Sequence, residues 1–228
     1  MLVSICGMPR SGSTFSFNIV REMLTHRGGV HSAASVVTDK IIGETSARHV
    51  IVKNHDVDAL GVRLLEIGAM KGVCTIRDPF EAIESWMDVF GFSLDQAIND
   101  FQTWLDSYNE FKSSVLIVRY QDIERSPSLV AWRVARHIGV FLFPFELIAL
   151  RRKYKKTTVS KTTNDLTLGG DDVLDIGFSY FDRKTFFHRR HIRQEKNVHL
   201  SIEDRKAIFE RVSGLQAFCQ DNRFSDAI

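Results

Sequence analysis

The chain has 228 residues, 44% of them hydrophobic and 25% charged, with a formal net charge of +2. That length accommodates one sizeable domain spanning 1–228 with a full core. So small a net charge says nothing about nucleic acid or membranes, no nucleic-acid partner is expected, and any basic feature must be local. The three cysteines, Cys6, Cys74 and Cys219, are odd in number and unclustered. They are expected as buried reduced thiols, which suits a reducing, cytoplasmic setting. No metal-ligand spacing appears, and no apolar stretch reaches membrane-spanning length. With an apolar strand starting at the second residue, no signal peptide is expected.

Leu2 to Ile5 is a short apolar run, and Phe17 to Leu24 is amphipathic. The run between them, Cys6-Gly7-Met8-Pro9-Arg10-Ser11-Gly12-Ser13-Thr14-Phe15, is expected as a loop joining a strand to a helix. Gly7 and Gly12 are five apart, as in the phosphate-cradling GxxxxGK[ST] loop. Glycines there let backbone N–H groups turn toward an anion, and the helix N-terminus adds partial positive charge. Ser13 stands where an ATP- or GTP-splitting enzyme has lysine, so Arg10 is the loop's one cation.

Three more apolar runs, His49–Val52, Gly72–Ile76 and Ser114–Val118, are expected as buried parallel strands. Ser93 to Gln96 is a capping box. After it, Leu94, Ala97, Ile98, Phe101, Trp104, Leu105, Tyr108 and Phe111 form one helical stripe, expected as core. Leu129 to Ile138 is a helix closed by Gly139, and Ser201 caps a last helix reaching about Gln216. The polar segment from Lys155 to Gly177 is expected as a mobile loop or lid. Alternation of strand and helix implies an α/β fold: a doubly wound, mainly parallel sheet with helices on both faces and a phosphate-binding loop after the first strand.

The strands end on cations: Lys53, Arg77 and Arg119, with Arg10 in the first loop. Ligands of open α/β sheets bind at the carboxyl ends of the strands, so the four are expected to converge on a polyanion. A magnesium-dependent enzyme would instead hold its metal with an aspartate at a strand end. Here Asp56, Asp78 and Asp122 follow one to three residues later.

These residues together resemble the sulfotransferases that use 3′-phosphoadenosine-5′-phosphosulfate (PAPS). Pro9-Arg10-Ser11-Gly12-Ser13-Thr14-Phe15 is similar to their 5′-phosphosulfate loop. Arg77 and Ser85, eight residues apart, match their 3′-phosphate element. Arg119-Tyr120-Gln121-Asp122 is similar to their strand-end YED element, and Lys53-Asn54-His55 to their Lys-x-His. The match fades beyond residue 139. There the basic run holding Arg189 and Arg190 stands where the family has a glycine-containing phosphate loop.

The resemblance implies transfer of a sulfonyl group from PAPS to a hydroxyl or amine of a small-molecule or glycan acceptor, releasing adenosine 3′,5′-bisphosphate (PAP), with no metal. Arg10, Ser11, Gly12, Ser13 and Thr14 would hold the 5′-phosphosulfate. Arg77, Ser85, Arg189 and Arg190 would hold the 3′-phosphate. Lys53 would meet charge on the bridging oxygen. His55 would take the acceptor proton, an ordinary imidazole pKa of about 6.5 suiting that role; Glu44, Asp56 and Asp58 are the alternative bases. Tyr120 and Phe15 are adenine contacts or plain core. The runner-up readings are an ATP- and magnesium-dependent nucleotide kinase and a nucleotide-binding module without catalysis.

Overall fold

A computed structural model describes residues 1–34, 38–43, 45–168, 170, 173–175, 180–188 and 198–224. Five parallel strands form the main sheet: β1 (Leu2–Cys6), β2 (Val30–Ala34), β3 (His49–Asn54), β4 (Met70–Ile76) and β5 (Val115–Arg119). Their order is β2-β3-β1-β4-β5. The first strand is therefore central, and the ends of β3 and β4 flank the loop that leaves it. Register pairs Ile5 with both Lys53 and Val73. The parallel sheet matches expectation; β2, an edge strand of small, half-exposed residues, carries no apolar run to betray it.

Side chains alternate across the sheet, as the period of two requires. Val3, Ile5, Ile51, Val73 and Val118 point to one face. There they pack against α1 (Ser13–Thr25), α7 (Pro127–His137) and α8 (Pro144–Lys153). Cys6, Cys74 and Ile76 point to the other. That face is covered by α3 (Ala59–Glu66), α4 (Pro79–Phe90), α5 (Leu94–Phe111), α10 (Ile202–Arg211) and α11 (Leu215–Asn222). The aromatic stripe of α5 is core, as expected: Phe101, Trp104, Tyr108 and Phe111 are buried. Phe218 of α11 meets three of those rings edge-on. The remaining helices among the described residues are α2 (Thr38–Gly43), α6 (Tyr120–Arg125) and α9 (Lys156–Asn164), and β6 (Val173–Asp175) pairs antiparallel with β7 (Tyr180–Asp182).

Two expected elements differ. The last helix breaks at Val212–Gly214, where Gly214 is left-handed at φ 80, and resumes as α11. The 155–177 segment is not all loop, since it contains α9 and β6. The three cysteines are buried and unbridged. Among the described residues no helix is long and apolar enough to cross a membrane.

Candidate active site

The loop after β1 is held by close backbone approach. A Cβ on Gly7 would lie 2.1 Å from Thr75 Oγ1, so only glycine lets β4 come this near. Met8 N donates to Thr75 O at 2.8 Å, and Trp86 Nε1 donates to Pro9 O at 2.8 Å. The Ser11 hydroxyl is fully buried, within reach of Met8 O, Thr75 O and Thr75 Oγ1 at 2.5, 2.8 and 2.7 Å. Its side chain is therefore spent on shaping the loop, and only its backbone is left for a ligand. Arg10 and Gly12 have positive φ, 65 and 90. For arginine that is an uncommon conformation that surrounding contacts must hold in place.

Gly12 caps α1 without a side chain, and Ser13, Thr14 and Phe15 form the first turn. By contrast Asp58, Asp78, Ser93 and Ser201 each cap their helices with a side-chain oxygen. An isoleucine methyl and a ring edge close over Gly12: a Cβ there would sit 2.8 Å from Ile123 Cδ1 and 3.3 Å from Tyr120 Cδ2. Phe15 is partly buried against the core and meets Tyr154 edge-on at 6.4 Å. Packing accounts for that ring.

At the end of β3, His55 Nδ1 lies 2.5 Å from Gly7 O. A carbonyl only accepts, so Nδ1 carries the proton and the neutral ring presents Nε2 as its base. Burial, then the Lys53 charge, push the imidazole down to about 3, against the Gly7 bond that favours the charged form. This corrects the expectation of an ordinary imidazole. Burial also lowers the Lys53 amine to about 8. No carboxylate among the described residues pairs with it. Near neutrality Lys53 therefore still carries its charge, while His55 is neutral and poised to gain a proton once negative charge arrives.

At the end of β4, Asp78 and Pro79 open α4, with Asp78 Oδ1 accepting from Phe80 N and Glu81 N. Arg77 binds Glu81 Oε2 through both Nε and Nη2 at 3.0 Å. It donates to Arg10 O at 3.4 Å and lies 4.5 Å above the Tyr120 ring. Arg10 Nε in turn donates to Ser85 Oγ at 3.2 Å. Arg10 thus links the loop after β1 to both Arg77 and Ser85.

Arg119 does not join this crevice. It pairs with Asp122 one turn along α6, and Arg133 shares that carboxylate. In its place α9 supplies Lys156, bound to Glu124 Oε1 at 3.1 Å and close enough to Tyr120 and Arg77 to feel their charges. Among the alternative bases, Asp58 is occupied as the α3 cap and by Thr38 N and Oγ1. Asp56 is exposed as a residue, its carboxyl pushed upward by partial desolvation and by the Asp100 charge. Glu44, Arg189 and Arg190 lie outside the described residues. Thr75, Glu81 and Trp86 escaped sequence reasoning. Only Glu81 carried a signal, its i+4 spacing from Arg77.

No family model matches the chain, and no curated protein matches it in sequence. Its α/β architecture is nonetheless that of the sulfotransferase fold. Mouse sulfotransferase SULT7A1 complexed with PAP superposes with a TM-score of 0.67 at 12% identity, over 99% of this chain and 85% of that one. Retinol dehydratase in complex with androsterone and inactive cofactor PAP does so at 0.56, again at 12% identity, over 99% and 82%. The same enzyme with retinol and PAP gives 0.51 at 12% identity, over 99% and 82%.

Proposed function

We propose that this chain is a sulfotransferase that moves a sulfonyl group from PAPS to a hydroxyl or amine and releases PAP. The observation that carries this reading is the pair Lys53 and His55 set against the Gly7–Gly12 loop, in a fold otherwise seen with PAP bound. The residues fit the group. The glycine cradle would be filled by any Cβ. The helix behind it has no side-chain cap, and its N-terminus favours an anion. A half-buried, desolvated amine without a carboxylate partner among the described residues waits beside it.

The donor would supply the sulfonyl group: the acceptor oxygen or nitrogen bonds its sulfur, and PAP leaves with the electron pair of the broken S–O bond. The first-turn amides of Ser13, Thr14 and Phe15, with Arg10, bind the 5′-phosphosulfate. Arg77 and Ser85 bind the 3′-phosphate, and Tyr120 borders the adenine. Lys53, already charged near neutrality and held so more firmly beside that anion, neutralises the negative charge growing on the bridging oxygen. His55 Nε2 takes the acceptor proton while Gly7 holds the tautomer. Its low affinity for protons in the empty site keeps it neutral, and the donor's charge raises its basicity when needed. Protein cations do here what magnesium does for a kinase. The three buried thiols support a reducing, cytoplasmic compartment.

The ligands named with the retinol dehydratase structures, androsterone and retinol, make small apolar alcohols the first acceptors to try. The test is PAP release from PAPS across a panel of alcohols and amines. Acceptor-dependent PAP release supports the reading. Phosphate transfer from ATP–Mg²⁺ with no sulfonyl transfer would overturn it.

A further inference from the structure

Away from this site, the turn entering α8 carries a cluster of bare aromatic rings. Phe141, Phe143, Phe145 and Ile148 are 71%, 51%, 68% and 53% exposed. Phe141 meets Phe143 edge-on at 5.0 Å, and Phe143 stacks on Phe145 at 5.5 Å. Isolated exposed apolar residues are ordinary, but a contiguous group of this kind marks an interaction surface. Beside it a groove of about 390 Å³ runs between α1 and α8, floored by Met23, Leu142 and Leu150 with Phe145 as a wall.

The platform under these rings is stiff. Pro144 begins α8. Leu150 and Tyr154 anchor it in the core. Arg27 Nη2 donates to Phe141 O and pairs with Glu146, whose other oxygen accepts from Phe143 N. Phe143 O accepts from Glu146 N and Leu147 N. These bonds hold the turn that presents the rings and occupy Phe141 O, Phe143 N and Phe143 O. That combination suits an apolar medium, where an unpaired backbone group is costly.

Arg151, Arg152 and Lys155 follow within ten residues of Phe145. All three are exposed, and none pairs with a carboxylate among the described residues. Lys153, between them, is tied to Glu22. Two copies of this face would set like charges against each other, so it is poorly suited to a second copy of itself. It is suited to an anionic surface.

We propose that the face spanning residues 141–155 docks on an anionic lipid bilayer, with Phe141, Phe143 and Phe145 entering the interface and Arg151, Arg152 and Lys155 meeting headgroups. Apolar rings flanked by cations bind such surfaces by summing buried area and electrostatic attraction. No membrane span is involved. The inference stands independently of the sulfotransferase reading.

The experiment is co-sedimentation of the full chain with vesicles of phosphatidylcholine alone and with added phosphatidylserine, at low and high salt. Binding is expected with phosphatidylserine, weakened by salt. Phe143→Asp/Phe145→Asp should lower partitioning by roughly tenfold or more. Arg151→Gln/Arg152→Gln should lower it by roughly fivefold per cation removed. Both variants alter only exposed side chains, so unchanged melting and unchanged circular dichroism are the controls. Absence of vesicle binding, or equal binding by the Phe143→Asp/Phe145→Asp variant, overturns the proposal. So does a wild-type dimer in light scattering that this variant disperses, which would give the face to a second copy.

Discussion

Replacing Lys53 by methionine should make the empty protein more stable near neutrality while abolishing transfer. Burial holds this amine at about 8, where an ordinary lysine sits at 10.5, and no carboxylate among the described residues offsets the charge. At about 1.36 kcal/mol per pH unit, the gap means the charged form costs the folded state on the order of 3 kcal/mol. Below about pH 8 both folded and unfolded chains carry the proton, and the whole cost is present. Between 8 and 10.5 the folded protein has released it while the unfolded chain has not, so stability rises with pH. Above 10.5 neither state is charged and the cost is gone. Lys53→Met should therefore gain on the order of 3 kcal/mol at pH 7 and little at pH 10.5 and above. Urea unfolding of both proteins at the two pH values measures this. A loss of stability at pH 7, or an equal gain at both, would refute the claim that Lys53 is a strained cation held for a ligand.

His55 gives an acid counterpart. Burial and the Lys53 charge depress its pKa to about 3 from an ordinary 6.5, so stability should fall as pH drops from 6.5 toward 3. His55→Gln should flatten that part of the profile, and unchanged acid sensitivity in the variant would count against it. In turnover, His55→Ala should cut kcat by about 10²–10⁴-fold with PAP affinity nearly intact; undiminished turnover would move the base elsewhere. Gly12→Ala should cost about 1–2 kcal/mol for its left-handed backbone and weaken PAP binding by displacing Tyr120. Gly29→Ala, where a Cβ meets nothing within 4 Å, is the neutral control. Transfer from PAPS should survive excess EDTA, and activity restored only by Mg²⁺ would favour an ATP-dependent enzyme.

The central strands were legible because buried parallel strands are continuous apolar runs, as in Gly72–Ile76. Edge strand β2 was not, since Val30-His31-Ser32-Ala33-Ala34 packs only one half-exposed face. The site was legible where strand order alone decides position. The ends of β3, β1 and β4 adjoin, which sets His55 on Gly7 and Arg10 between Arg77 and Ser85. It was illegible where side-chain partners decide. Arg119 looks like its fellow strand-end cations, but Asp122, three residues on, captures it. Ser11 looks like a ligand donor, but Thr75, on a neighbouring strand far away in sequence, buries its hydroxyl. Nor does the spacing Lys53-Asn54-His55 reveal how far burial moves both pKa values.

The central claim is that this site takes a 3′-phosphorylated adenine nucleotide, and titration calorimetry of PAP against 5′-AMP tests it most directly. Arg77 lies beside Arg10 and Ser85, and a charge-assisted bond to an added phosphate is worth about 1.5–3 kcal/mol. PAP should therefore bind roughly ten- to a hundredfold more tightly than 5′-AMP, and Arg77→Ala should erase most of the difference. Equal affinity of the wild-type protein for the two nucleotides would contradict the account.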